Sequence, residues 1–149
     1  MAITRGFRFQ VPNFREVFPK DLILMGEIEP LIKYNPDRNA MPEQRRDFDP
    51  KTGTGTGLLM WKANVTDPTE LKANRASFAL WFIAEVVPIP QAEESLPGMR
   101  RLVVEGLMAE PKIAGQGDFK YQSYQFYATG IAGDNSGAKG NRPIADKAA

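Results

Sequence analysis

The chain of 149 residues contains neither cysteine nor histidine. Without cysteine there is no disulfide, no thiolate nucleophile and no cysteine-based zinc site. Without histidine, the usual general base near neutral pH and the commonest metal ligand are missing too. Most hydrolase and metalloenzyme templates fall at once, and no cofactor is expected. An excess of charge of one sign is also absent, since 19 Lys and Arg stand against 18 Asp and Glu for a net +1. Affinity for a polyanion must therefore come from a local patch. Nor is there a long apolar run: the longest, residues 78–84, is too short to span a bilayer, and residues 1–7 lack the apolar core of a signal peptide. These absences predict a soluble cytoplasmic protein with no membrane partner.

What is present is an ordinary hydrophobic content of 42% on a chain with room for one domain. Five apolar stretches bounded by turn residues, 22–33, 58–66, 77–87, 102–109 and 121–131, alternate with the period of two that marks strands. Gly26, in the middle of the first, predicts a bulge or bend. Ahead of them, residues 1–20 form an arm that interleaves Arg5, Arg8, Arg15 and Lys20 with Phe7, Phe9, Phe14 and Phe18. Asn13 is placed to cap a short helical turn through Phe18. The arm either tucks its phenylalanines onto the domain or grips nucleic acid. Residues 92–96 have room for about one helical turn before Pro97-Gly98 stops it. Beyond Ile131 the small polar residues of 132–149 read as a disordered tail. Five strands with almost no helical pattern predict an all-β domain over 21–131. The expected form is a five-stranded Greek-key barrel of the OB type, with a small β-sandwich as the alternative.

Several chemistries can be set aside. The Thr52–Gly57 repeat of Thr and Gly lacks the Gly-Lys-Ser/Thr ending of a phosphate loop and leads into a strand rather than a helix. Asp47-Phe48-Asp49 is followed by Pro50, which breaks the alternation a calcium loop requires. Paired catalytic carboxylates need a shaped cleft that splits their proton affinities, which the adjacent Glu93-Glu94 do not provide. The chain is read as a non-enzyme.

An OB-type groove binds single strands by stacking bases on aromatics while Lys and Arg neutralise phosphates. The candidate stacking residues are Trp61, Trp81, Tyr121 and Tyr127. The candidate phosphate partners are Lys62, Arg75, Arg100, Arg101 and Lys120, with Arg45 and Arg46 closing over the strand from the long loop. Against this, Trp61 shares its row with Ala63 and Val65, a core pattern, whereas Trp81 sits among Ser77, Ala79 and Glu85. Both rows of the last strand contain aromatics, so alternation alone leaves its buried face open.

Val11-Pro12, Val17-Phe18-Pro19, Gly26-Glu27-Ile28-Glu29-Pro30, the stretch from Gln44 through Thr52-Gly53 to Trp61 and Asp67, Val104-Glu105-Gly106-Leu107 and Ala128-Thr129-Gly130 together carry a resemblance. Over about residues 7–131 the chain resembles the actinobacterial plasmid proteins described as replication, integration and excision activators, the Pra-like family. The resemblance implies a non-enzymatic accessory of mobile-element replication and transfer that works with an initiator protein on DNA. Two uses of the exposed aromatics follow: contact with single-stranded DNA, or a protein interaction module that self-associates or binds the initiator without touching DNA.

Overall fold

The computed structural model describes residues 3–136, and these are mostly β. The strands, in chain order, are β1 (Phe9–Gln10), β2 (Leu22–Met25), β3 (Glu29–Pro30), β4 (Met60–Thr66), β5 (Ser77–Ile83), β6 (Glu94–Leu96), β7 (Met99–Leu102), β8 (Val104–Glu105), β9 (Met108–Ala114), β10 (Tyr121–Ala128) and β11 (Gly130–Ile131). Two one-turn α-helices, α1 (Phe14–Val17) and α2 (Ala73–Ala76), and a 3-10 turn at Gly117–Phe119 interrupt them. The main sheet runs β1-β9-β10-β5-β4-β2-β7-β6, with β3 also on β4, and β8 pairs with β11 as a separate ribbon. Among the described residues only β10 and β5 pair in parallel.

The all-β expectation holds, but the Greek-key barrel does not form. The first and last strands of the main sheet, β1 and β6, do not pair with each other, so the sheet stays open. A second full sheet is not present among the described residues either; the β8–β11 ribbon and α1 face the main sheet across the core. Both edges are very short strands, which limits edge-to-edge pairing with other chains.

Local chemistry explains most elements. Ile23 lies opposite Thr66 and Glu29 opposite Lys62, so six residues of one chain segment answer four of the other. Gly26, at φ 79°, absorbs this bulge where the sequence marks it. Asn13 caps α1, its side-chain oxygen accepting the Arg15 N–H at 3.1 Å. Pro19 follows the helix, and Asp21 turns the chain at φ 60° into β2. The Asp21 carboxylate is buried and accepts from Arg15 at 3.0 Å. Residues 94–96 are a strand rather than the helical turn expected of 92–96. Pro97-Gly98, with Gly98 at φ 75°, makes the hairpin turn into β7. The stretch 102–109 is likewise divided among β7, β8 and β9, with Gly106 at φ 66° in the break.

One face of the sheet builds the main core from Leu22, Leu24, Ala63, Val65, Leu80, Phe82, Leu102 and Ala128, closed by Val104, Leu107 and Ile131. Phe14 and Phe18 of the arm join it, with Phe18 against Phe126 at 5.1 Å and Phe78 at 5.9 Å between ring centres. Each such buried phenylalanine is worth roughly 1.5–3 kcal/mol relative to an exposed one. The arm divides: Phe14 and Phe18 tuck in, while Phe7 and Phe9 stay 42% and 43% exposed. Of the segment 132–149, residues 137–149 lie outside the described residues. Within the described part, Asp134 is buried and accepts the Ile89 N–H at 3.0 Å.

Candidate nucleic-acid interface

On the opposite face of the same sheet the alternate residues of β4, β5, β9 and β10 line up. Trp81 is in register with Lys62 on one side and Tyr127 on the other, and Tyr127 is in register with Met108. Met60, Ile83 and Tyr127 form a small second core there, with Trp81, Leu31, Leu58 and Met108 packed on it. Two segments rise above this floor. One is the arm from Thr4 to Arg8, tied down where β1 pairs with β9. The other is the loop from Arg45 to Gly55, anchored by the Arg45 N–H to Leu31 carbonyl bond at 2.7 Å and the Met60 N–H to Arg45 carbonyl bond at 2.9 Å. Between them lies a groove of about 900 Å³.

Arginines cover the rings of this floor. The Arg8 guanidinium sits 3.9 Å above the centre of Tyr127, and Arg45 lies 5.0 Å from Trp81. Arg8 also pairs with Asp47 at 2.8 Å. Asp47 is buried and accepts from the Thr56 hydroxyl at 3.0 Å and backbone N–H at 3.2 Å, so a single carboxylate joins the arm to the Thr-Gly loop. Gly55 packs against this point at φ 119°, and any side chain there would collide with the Asp47 carbonyl oxygen. The Thr-Gly repeat is therefore wrapped around an acid.

Burial pushes the Tyr127 phenol up to about 12; Arg8 opposes the shift, and the hydrogen bond to Glu110 at 2.9 Å adds to it. Tyr127 keeps its proton at any physiological pH and acts as a donor to Glu110. Five basic residues, Arg5, Arg8, Arg45, Arg46 and Lys112, line the groove against three acids, Asp47, Asp49 and Glu110. Asp47 pairs with Arg8, Glu110 stays charged while accepting from the neutral Tyr127 hydroxyl, and five bases against three acids leave the groove lining net positive. Among the described residues, Arg5, Arg45 and Lys112 form no ion pair. Phe7 and Phe48 line the groove at 42% and 55% exposure.

The residues named from the sequence separate into three groups. Trp81, Tyr127, Arg45 and Arg46 come together at the groove, with Lys62 in register beside Trp81. Tyr127, however, is only 3% exposed and beneath Arg8, so it is floor and not an open stacking platform. Arg75 and Tyr121 pair with each other, 3.7 Å from guanidinium to ring centre, on the same face but further along the strands. The rest do not join. Trp61 points to the main core and its indole N–H donates to the Ala84 carbonyl at 2.7 Å. Arg100 is held by the Ala92 carbonyl at 2.7 Å and Glu94 at 3.6 Å, and Arg101 reaches Asp21 at 3.5 Å. Both belong to β7, three strand positions from β5. Lys120 is exposed just before β10, outside the groove lining.

Sequence reasoning missed Phe48, Lys112 and Gln125 as groove residues, and it named Arg5, Phe7 and Arg8 only as part of the arm, not as one wall of a groove. The signal for the arm was visible, because aromatic and basic residues alternate from Arg5 to Phe9. What alternation could not show is that this segment crosses above the sheet. Among the described residues no cluster of three or more His, Cys, Asp or Glu is placed to hold a metal, and no helix is long and apolar enough to cross a membrane. Comparison with family models, with curated proteins and with solved structures finds no match to this chain.

Proposed function

We propose that the protein is a non-enzymatic binding protein that holds single-stranded DNA in the groove between the arm and the Thr-Gly loop. The observation that supports this reading best is Arg45 lying over Trp81 beside exposed Phe7 and Phe48. Flat rings that accept bases of any sequence stand next to cations that neutralise phosphates. A guanidinium stacked on a ring keeps its N–H edge free for a phosphate oxygen. An open sheet, not an OB cylinder, supplies the groove floor. The resemblance to the Pra-like family supplies the setting, an accessory of plasmid replication in an actinobacterial cytoplasm that acts beside a replication initiator.

The test is a titration of labelled single- and double-stranded oligonucleotides at two salt concentrations. Preferential single-strand binding that weakens as salt rises, through release of counterions from the phosphates, supports the reading. No binding to any oligonucleotide at low salt overturns it.

A second reading is favoured by one other feature. The loop beyond Leu31 is closed by the Lys33 N–H to Glu43 carbonyl bond at 2.8 Å, and it holds out Tyr34 and Met41 at 87% exposure each. Such apolar residues on a braced projection fit a protein interaction module that self-associates or docks on the initiator. Sedimentation of the wild type and of a Tyr34→Ser, Met41→Ser double variant separates the two readings. An oligomer lost in the variant, together with no DNA affinity in either protein, favours the second.

A further inference from the structure

Taking the single-strand reading as its basis, the geometry points to a longer track: we infer that one DNA strand runs along β10 and β5, from the groove at Trp81 to a second arginine-covered ring at Tyr121. Tyr121, Ser123, Gln125 and Tyr127 alternate along β10 and so share the face that bears the groove. Tyr127 and Tyr121 are six residues apart on that strand, which at about 3.3 Å per residue separates the two stations by about 20 Å.

The second station repeats the chemistry of the first. Arg75 lies 3.7 Å from the centre of the Tyr121 ring, closer than Arg45 comes to Trp81. Among the described residues Arg75 forms no ion pair, and its Nε is buried without a hydrogen-bond partner. Stacking, not a carboxylate, places this guanidinium, and its charge is unneutralised. Because β10 and β5 are parallel, the Arg75 end of β5 and the Tyr121 end of β10 fall on the same side of the sheet.

The ground between the stations suits a phosphodiester and repels little. Ser123 is in register with exposed Lys112, and Gln125 with Glu110, which already accepts the Tyr127 hydroxyl. On the β4 side the Thr66 and Ser77 hydroxyls bond each other at 2.9 Å on the exposed surface. The other acids near this face lie at the groove end, Glu29 opposite Lys62, Glu85 paired with Arg46 at 3.5 Å, and Asp47 and Asp49 in the groove lining. A strand of about six nucleotides at the stacked spacing of about 3.4 Å covers the distance.

The experiment is a length series of labelled thymidine oligomers, from about three to about ten nucleotides, titrated against the full chain and its Arg75→Ala variant. Wild-type affinity is expected to rise with length until about six nucleotides and then to level. Arg75→Ala is expected to weaken the long oligomers about tenfold, the order of one lost stacking station, and to leave the shortest unchanged. Ser123→Glu, which sets a negative charge on the track without touching either ring pair, should give the same length-dependent loss. It serves as the deciding variant should Arg75→Ala prove unfolded by circular dichroism. Equal affinity for short and long oligomers, or equal losses at every length, overturns the track while the groove stands. Absence of binding by the wild type at every length overturns the groove and the track together.

Discussion

Trp81 and Phe82 are neighbours in one strand, yet they live in different chemical surroundings. Phe82 is fully buried among Leu80, Val65 and the arm's Phe18 cluster, in a face that excludes polar groups. Trp81, one residue earlier, points through the sheet to a face of guanidinium groups, hydroxyls and an amide. The first face is closed by apolar side chains, which the hydrophobic effect drives together without regard to direction. The second is closed by cations lying on rings, which are worth about 0.5–1 kcal/mol each when exposed and remain able to exchange a ring for a phosphate. The comparison teaches that one sheet divides the work: its inner face supplies stability, and its outer face carries the proposed recognition surface.

The sharpest way to break that division is to truncate both neighbours in turn. Phe82→Ala should cost about 3–5 kcal/mol in urea unfolding, because it leaves a cavity in the closed face. Trp81→Ala should cost less stability than that and should fall chiefly on binding, as set out below. Comparable stability losses at the two positions would contradict the assignment of roles.

The next effect belongs to Tyr127, which sits on the recognition face but is buried like a core residue. Its phenol is raised from 10.0 to about 12 in the fold, so the folded state holds the proton more tightly than the unfolded chain. The contribution is therefore whole below pH 10 and is lost as pH rises toward 12. Two pH units correspond to roughly 3 kcal/mol. Alkaline absorbance titration should show a tyrosinate signal that emerges only near pH 12 and vanishes in Tyr127→Phe. A Tyr127→Phe protein with an unchanged alkaline limb would contradict this burial.

Trp81→Ala comes third, with an expected loss of about tenfold in affinity for single-stranded DNA, within the roughly 1–3 kcal/mol assigned to one stacked base. Binding assays read it directly, and undiminished affinity would remove Trp81 from the interface. The smallest effect belongs to Arg46→Ala. Arg46 and Glu85 are exposed and 3.5 Å apart, so thermal unfolding should shift by less than about 1 kcal/mol.

How far this division was legible in the sequence varies by residue. The bulge at Gly26, the Asn13 cap and the inward row of Trp61, Ala63 and Val65 follow from local rules, and they stand where alternation and turn chemistry put them. Strand partnership does not follow from alternation. Nothing in β1 or β6, two and three residues long, announces a strand, so the open sheet was read as a closed barrel. Tyr127 was misjudged because both rows of β10 bear aromatics, and only the arm crossing above it decides which ring is covered. Arg100 and Arg101 looked like free cations for want of any view of Glu94, Asp21 and the Ala92 carbonyl, which come from other elements. Charge in a sequence is legible, but its neutralisation is a tertiary fact.

The central claim is that Trp81 and Arg45 together contact a single strand. With Trp61→Phe removing the only other indole, Trp81 becomes the sole tryptophan emitter. Titration of that variant with single-stranded DNA at low salt should quench its fluorescence to saturation, with the midpoint moving to higher DNA concentration in Arg45→Ala and as salt is raised. Tryptophan emission that stays constant through the titration, while Trp61→Phe remains folded, would contradict the account.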